Sequence, residues 1–223
     1  MNYLVITKKK WSKKNYSNLS RKFVVKNKIN SRILNLTKPK IIFFIHWSKI
    51  IKKEIYSNYK CIQFHSSNLP EGRGGSPIQN QILKGFKKTK LTAFKINHEI
   101  DGGPICMKKT LSLNGTALDI LKRMEKLSII MIKKIIEKKN LIFKKQKKTK
   151  KIFTRRKKSE SNINNLKSKN ITNLFDFIRM LDAPGYPHAF IKNSNFIFKI
   201  NDAKIRRNKL IASAEITNNE KKR

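Results

Sequence analysis

Short apolar runs alternate with mixed stretches along the first part of the chain. Residues 3–6, 21–25 and 41–45 each read as a strand, and the last of these is apolar throughout, as a strand buried on both faces should be. Between them, residues 31–36 carry apolar positions at mixed spacing that predict a helix. Residues 50–59 predict a second short helix leading into a strand at 61–64. Ser76 and Pro77 read as a serine cap and first-turn proline opening a helix over 78–84, which Gly85 ends. Residues 91–96 form the next predicted strand. Beyond Gly115, Leu118, Leu121, Met124, Leu127, Ile130, Met131 and Ile135 recur at helical spacing, a packing stripe with no chemistry of its own. Residues 173–181 predict another amphipathic helix. A turn at Gly185 and Pro187 follows, then extended segments at 189–191 and 196–200 and a polar, frayed end from Thr217 onward. Strands alternating with helices predict a mostly parallel sheet flanked by helices, an α/β layer fold with a short C-terminal α+β appendage.

Composition narrows the class. The 223 residues suffice for one sizeable core and a small appendage, and 39% are hydrophobic. The apolar run at 41–45 is far too short to span a bilayer, so no membrane partner is expected. The first residues lack the long apolar region and cleavage site of a signal peptide. Only Cys61 and Cys106 are present, so no disulfide framework is implied and a reducing cytoplasm is the natural compartment. The formal net charge is +40. Lysine, asparagine and isoleucine are abundant in surface and core positions alike, which favours a compositional origin over a nucleic-acid surface, although any anionic ligand would benefit. Residues 144–158 are the densest basic run and read as a solvated connector.

The candidate chemistry lies at 65–80 and 100–105. His65 falls at the C-terminal end of its predicted strand, the edge where open α/β sheets bind ligands. A glycine-rich turn follows, at Gly72, Gly74 and Gly75. After one further strand comes the single carboxylate of Asp101. A group that titrates near neutrality, a partner to orient it and backbone donors beside both are the requirements of acyl transfer.

At these residues the sequence resembles the formyltransferase superfamily that uses 10-formyltetrahydrofolate, including methionyl-tRNA formyltransferase and the sugar N-formyltransferases. The resemblance is carried by Gln63-Phe-His65-Ser-Ser-Asn-Leu69-Pro70, by Arg73-Gly-Gly-Ser-Pro77-Ile78 and by Ile100-Asp101-Gly-Gly103-Pro104. It covers residues 41–200 and is strongest over 61–105. It implies a Rossmann-like formyltransferase core over 1–142, shortened at its N-terminal side, a basic linker over 143–158, a reduced C-terminal subdomain over 159–212 and a polar tail over 213–223. Three departures stand out. Gln63 occupies the place of the family's asparagine, the chain before His65 is short, and the C-terminal region is short for the barrel that helps grip tRNA.

The resemblance implies that His65 accepts the amine's proton or hydrogen-bonds the developing oxyanion, that Asp101 orients it, and that Gln63 donates to the oxyanion. Gln63 and His65 share a strand face, being two residues apart. His46, Trp47, Ser48 and Ile50 stand in the place of the family's pterin-binding loop, with Asn97 and Ile100 completing the expected cofactor contacts. For Trp47, stacking on the pterin and core packing are both open. Ser66, Arg73, Gly74 and Gly75 are the expected substrate-binding residues, and Arg73 either engages an anionic group of the acceptor or braces the turn by a salt bridge. The expected donor is 10-formyltetrahydrofolate. The expected acceptor is a small-molecule amine, a nucleotide-linked amino sugar for surface polysaccharide, ahead of tRNA; a homodimer is the assembly considered. A formyltetrahydrofolate hydrolase and a binding module that has lost catalysis are the alternatives from other classes. His98 is expected in an exposed loop and His188 in a structural role. No histidine or cysteine pairs at metal-ligand spacing, so no metal site is expected.

Overall fold

A computed structural model describes residues 2–9, 12–17, 19–149, 151–167 and 170–219. In chain order the elements are β1 (Asn2–Thr7), α1 (Lys13–Ser17), β2 (Phe23–Lys26), α2 (Ser31–Thr37), β3 (Pro39–Ile45), α3 (Lys53–Asn58), β4 (Lys60–His65) and β5 (Arg73–Gly74). There follow α4 (Pro77–Leu83), β6 (Lys88–Lys95), β7 (Ile105–Ser112), α5 (Ala117–Glu137), β8 (Ile152–Phe153), α6 (Ile171–Arg179), β9 (Ala189–Lys192), β10 (Phe196–Arg206) and β11 (Lys209–Asn218). The chain divides into two units: Met1–Pro77, Thr89–Leu111 and Arg123–Phe153 in the first, Ile78–Lys88, Ser112–Lys122 and Thr154–Arg223 in the second.

The first unit is built on a six-stranded sheet in the order β2-β1-β3-β4-β6-β7. β1 pairs in parallel with β2 and β3, and β3 with β4, whereas β4 pairs with β6 antiparallel. Strand periodicity sends alternate residues to opposite faces. Leu4, Ile6, Ile42, Phe44 and Cys61 therefore gather in one cluster with Leu34 of α2, while Val5, Phe43 and Ile62 between them are buried on the other side. The predicted strands and helices here match in kind. α2 begins at Asn30, whose side chain accepts from the Ile33 N–H at 3.0 Å, and ends where Lys38 turns left-handed at φ 39°.

The long helix α5 opens with a reciprocal cap: Thr116 N–H donates to Asp119 Oδ2 at 3.0 Å, and Asp119 N–H to Thr116 Oγ1 at 3.2 Å. Its buried face includes Met124, Met131, Ile132 and Ile135, whereas Ile130 of the predicted stripe is 45% exposed. Polar groups share that buried face. The hydroxyls of Tyr16 and Ser128 lie 2.6 Å apart, and Asn15 donates to Glu125 at 2.7 Å. Burial holds the Glu125 carboxyl above its ordinary range.

The second unit carries a three-stranded antiparallel sheet in the order β11-β10-β9, together with α6. The polar tail expected from 213 is instead the outer strand, since β11 pairs with β10 from Arg206↔Lys209 to Phe196↔Asn218; only residues 220–223 of that expectation lie outside the described residues. Cross-strand bonding organises a stretch whose composition reads as frayed. Ser76 also departs from an ordinary cap: its φ is 48°, left-handed, where an N-cap is extended.

Arg179 organises this unit. It is 3% exposed, donates from Nε to Asp176 Oδ1 at 2.6 Å, and from Nη1 to the carbonyls of Leu113 and Gly115 at 2.6 and 2.7 Å. Arg179→Met should leave two carbonyls without their donor and the buried Asp176 with only the exposed Lys87 ammonium at 3.5 Å, lowering stability by about 3–5 kcal/mol. Urea unfolding checks this, and a loss below about 1 kcal/mol would contradict the arrangement.

Candidate functional site

His65 ends β4 and is 6% exposed. Its Nε2 lies 2.8 Å from the carbonyl of Gly72. A carbonyl only accepts, so Nε2 carries the hydrogen, an assignment made from this bonding pattern. Its Nδ1 faces Asp101 Oδ2 at 3.5 Å, beyond ordinary hydrogen-bond length. Asp101 is held from the turn side, where the Gly74 N–H donates to Oδ2 at 2.9 Å, and Gln63 Nε2 approaches Oδ1 at 3.5 Å. The expected trio therefore does come together, and the glycine turn touches two of its members.

The turn needs its glycines because β8 runs against it. β5 pairs in parallel with β8, Arg73 with Ile152 and Gly74 with Phe153, and the Gly75 N–H donates to the Phe153 carbonyl at 2.7 Å. A Cβ on Gly74, at φ 95°, would drive into the Phe153 carbonyl. On the other side of the site, a Cβ on Gly103 would overlap the carbonyl of Lys95.

Arg73 is buried at 6% exposure. Nε donates to Gln146 Oε1 at 3.1 Å and Nη1 to Glu99 Oε2 at 3.0 Å. These contacts fit the bracing role and leave little of the guanidinium for an acceptor. Ser66 is buried, and Gly75 is engaged through its backbone with β8. Asn68 holds the loop: its Oδ1 accepts from Lys108 Nζ at 2.8 Å, and the same ammonium donates to the Leu69 carbonyl.

The loops expected to hold a cofactor start from one buried cluster, which contains both Ile51 and Ile96 and has Trp47 packed on it. Trp47 stacks at a tilt on Phe44, 5.8 Å between centroids, and its indole nitrogen is buried without a hydrogen-bond partner among the described residues. Ser48 is exposed, and Ile50 and Ile100 stand out at 89% and 57% exposure. Asn97 Oδ1 accepts from the Glu99 N–H at 3.0 Å. Beside this second loop an open groove of about 540 Å³ is lined by Lys53, Tyr56, Lys95, Asn97 and His98. His98 is exposed, as expected.

His46 sits at φ 51° with both ring nitrogens out of solvent. Burial, with the Lys9 cation secondarily, lowers its pKa to about 3. Cys61 and Cys106 are free, and burial raises their thiols to about 12 and about 11, which rules against a thiolate nucleophile at either. No group of three or more metal-ligating side chains occurs among the described residues, and no described helix is long and apolar enough to cross a membrane.

Sequence reasoning missed Gln146. It lies in the run expected to be a solvated connector, yet its Nε2 donates to the carbonyls of Asp101 and Gly103 at 2.9 and 2.7 Å. Lys144 beside it exchanges both backbone bonds with Ile105, each at 2.8 Å. The run is thus paired into the site along part of its length, because its amides complete strand edges there. The one signal available was an uncharged amide amid lysines.

The sheet order, with a histidine at a strand end and a carboxylate pinned by a glycine turn, defines an α/β fold with a polar site at the strand's C-terminal end. The chain belongs to the formyl transferase family, whose model matches residues 4–136. Residues 158–217 match the model of the methionyl-tRNA formyltransferase C-terminal domain. Among relatives, the methionyl-tRNA formyltransferase of Buchnera aphidicola is 35% identical over 113 residues, 48% of this chain and 36% of that protein. The alignment therefore spans about a third of that relative's length. Among solved structures, the methionyl-tRNA formyltransferase from Clostridium thermocellum is 38% identical with a TM-score of 0.89, covering 98% of this chain and 99% of that one. A 4-N formyltransferase from Francisella tularensis shares the fold at 16% identity and a TM-score of 0.67, over 86% of this chain and 92% of that one.

The imidazole of His46, half-buried with both nitrogens out of solvent, makes a pH prediction. Its folded-state pKa is depressed below the unfolded value of 6.5, so the stability it contributes is intact above pH 6.5 and is lost as pH falls toward about 3. The slope attributable to it is at most about 1.4 kcal/mol per pH unit. His46→Asn, which tolerates a left-handed backbone, should flatten the fall in stability measured by urea unfolding between pH 6.5 and 5; an unchanged slope would contradict its burial.

Proposed function

We propose that this chain transfers a formyl group from 10-formyltetrahydrofolate to a primary amine. The observation that carries the reading is the His65–Asp101 contact with the glycine turn closed around it. With Nε2 occupied by its hydrogen, Nδ1 is the open base position, and a proton taken there meets Asp101 Oδ2, turning a 3.5 Å approach into a charge-assisted pair. Gln63 has two amide hydrogens and directs its nitrogen toward Asp101 Oδ1, leaving the second N–H to meet a developing oxyanion.

For the donor, the two loops offer what a flat pterin needs: exposed isoleucines at 50 and 100, the amide of Asn97, and a buried indole N–H on Trp47 without a partner among the described residues. Lys53, Lys95 and His98 line the neighbouring groove and suit the carboxylates at the donor's far end. Bound there, the donor supplies the activated formyl group.

For the acceptor, the similarities favour methionyl-tRNA. The match to that enzyme's C-terminal domain and the relatives named for it support this order, the reverse of the one expected from sequence. The charge of +40 suits a polyanion as well. Transfer to a nucleotide-linked amino sugar is the competing outcome.

The full chain, given 10-formyltetrahydrofolate with either methionyl-tRNA or a panel of nucleotide-linked amino sugars, should formylate the tRNA, read by mass spectrometry of the products. Formylation of a sugar alone would reassign the acceptor, and formate release without any amine would make the protein a hydrolase. His65→Ala and Asp101→Asn should each lower turnover at least ~100-fold with unchanged melting temperature. Full activity in both variants would end the reading.

A further inference from the structure

We propose that Gln146 is a positioning residue for the reaction, acting through Asp101, and that the lysine-rich run carrying it is a strap that sets the carboxylate's orientation. The inference rests on the reading of His65 and Asp101 as the reacting pair.

Three hydrogen bonds converge on this one amide. Oε1 accepts from Arg73 Nε at 3.1 Å, and Nε2 donates to the carbonyls of Asp101 and Gly103 at 2.9 and 2.7 Å. The chemistry of the partners fixes the amide's orientation, since a guanidinium only donates and a carbonyl only accepts. Both hydrogens are used and one lone pair is used. Among side chains of this reach only glutamine offers two donors and an acceptor in a flat group. Glutamate would set an oxygen against two carbonyl oxygens, and lysine would leave Arg73 without its acceptor.

What the amide holds is strained. Asp101 sits at φ 48°, a left-handed conformation that a residue with a Cβ seldom adopts and that local contacts here hold in place. Gln146 clamps the carbonyl of that residue and the carbonyl two positions on, while the Gly74 N–H clamps the same residue's carboxylate. Asp101 is thus fixed at both ends, by the strap through its backbone and by the turn through its side chain. Arg73, the residue before Gly74, joins the two clamps because its guanidinium binds the strap amide. The strap is itself anchored on either side of Gln146: Lys144 pairs with Ile105, and β8 pairs with β5. Without the amide, Asp101 is free to leave its left-handed backbone, and its carboxylate swings away from Nδ1 of His65.

The test uses the full chain and three variants: Gln146→Ala, Gln146→Met, which keeps the side chain's length without its polar atoms, and Gln146→Glu. Binding of 5-formyltetrahydrofolate is measured by calorimetry. Turnover is measured with 10-formyltetrahydrofolate and whichever of methionyl-tRNA or the amino-sugar panel the wild type formylates. The strap predicts that kcat falls ~10- to 100-fold in Gln146→Met while the Kd for 5-formyltetrahydrofolate and the acceptor KM stay within about twofold. It also predicts non-additivity: in an Asp101→Asn background, Gln146→Met should cost about twofold or less further. Wild-type kcat in Gln146→Met and Gln146→Ala would overturn the proposal. So would a parallel loss of donor binding and turnover, or full additivity with Asp101→Asn. Should the alanine variant fail to fold, the methionine variant decides. Active His65→Ala and Asp101→Asn proteins would instead defeat the underlying reading, a result visible before any strap variant is made.

Discussion

The carboxylate of Asp101 is held in place by one backbone N–H, that of Gly74 at 2.9 Å, and much of the site's shape follows from making that bond reachable. The donor must come close, so the turn approaches without a Cβ at 74. The turn must be rigid, so β8 pairs alongside it and fills the space that a side chain would need. The same turn gives the Gly72 carbonyl to His65 Nε2, which fixes the ring's tautomer and leaves Nδ1 toward the acid. A single short segment therefore orients both members of the pair. Low exposure strengthens the arrangement, because charge developing on a ring that is 7% exposed, against a carboxylate 11% exposed, is poorly screened by water.

The sheet that carries His65 was readable from periodicity for a physical reason. Strands such as β3 are buried along nearly their whole length and so had to be apolar throughout, and helices such as α6 had to show a stripe. Gln63, His65 and the turn lie within a few residues of one another, so sequence proximity delivered most of the site. What escaped was set by pairing and not by pattern. β11 is exposed along most of its length, so its alternation buries little and its composition reads as tail. Gln146 is 45 residues from Asp101 and 73 from Arg73, and nothing in a lysine run announces which amide will find three partners. Arg73 shows the converse: its burial and its two engaged nitrogens support the brace, where sequence left a ligand contact and a brace level.

With 53 lysines and arginines against 13 aspartates and glutamates, acids are scarce in this chain, and where they are placed is informative. Asp176 is buried against Arg179, Glu99 meets the buried Arg73, and Asp101 faces His65. The Glu99 and Asp101 contacts join separate segments, and Asp176 pairs within α6 with the guanidinium that bonds the Leu113 and Gly115 carbonyls. A uniform excess of cations would by itself repel strand from strand and draw in anions without discrimination. The few carboxylates counter this locally, at the turn and around Arg179. Under the proposed function, a polyanionic acceptor is attracted by the surface as a whole while the His65–Asp101 pair is governed by contacts that bulk salt screens little. On this division of labour, affinity for the acceptor and the chemistry of transfer are separable properties of the molecule. Surface lysines supply the first under the proposed function, and a glycine turn with one half-buried amide supplies the geometry on which the second depends.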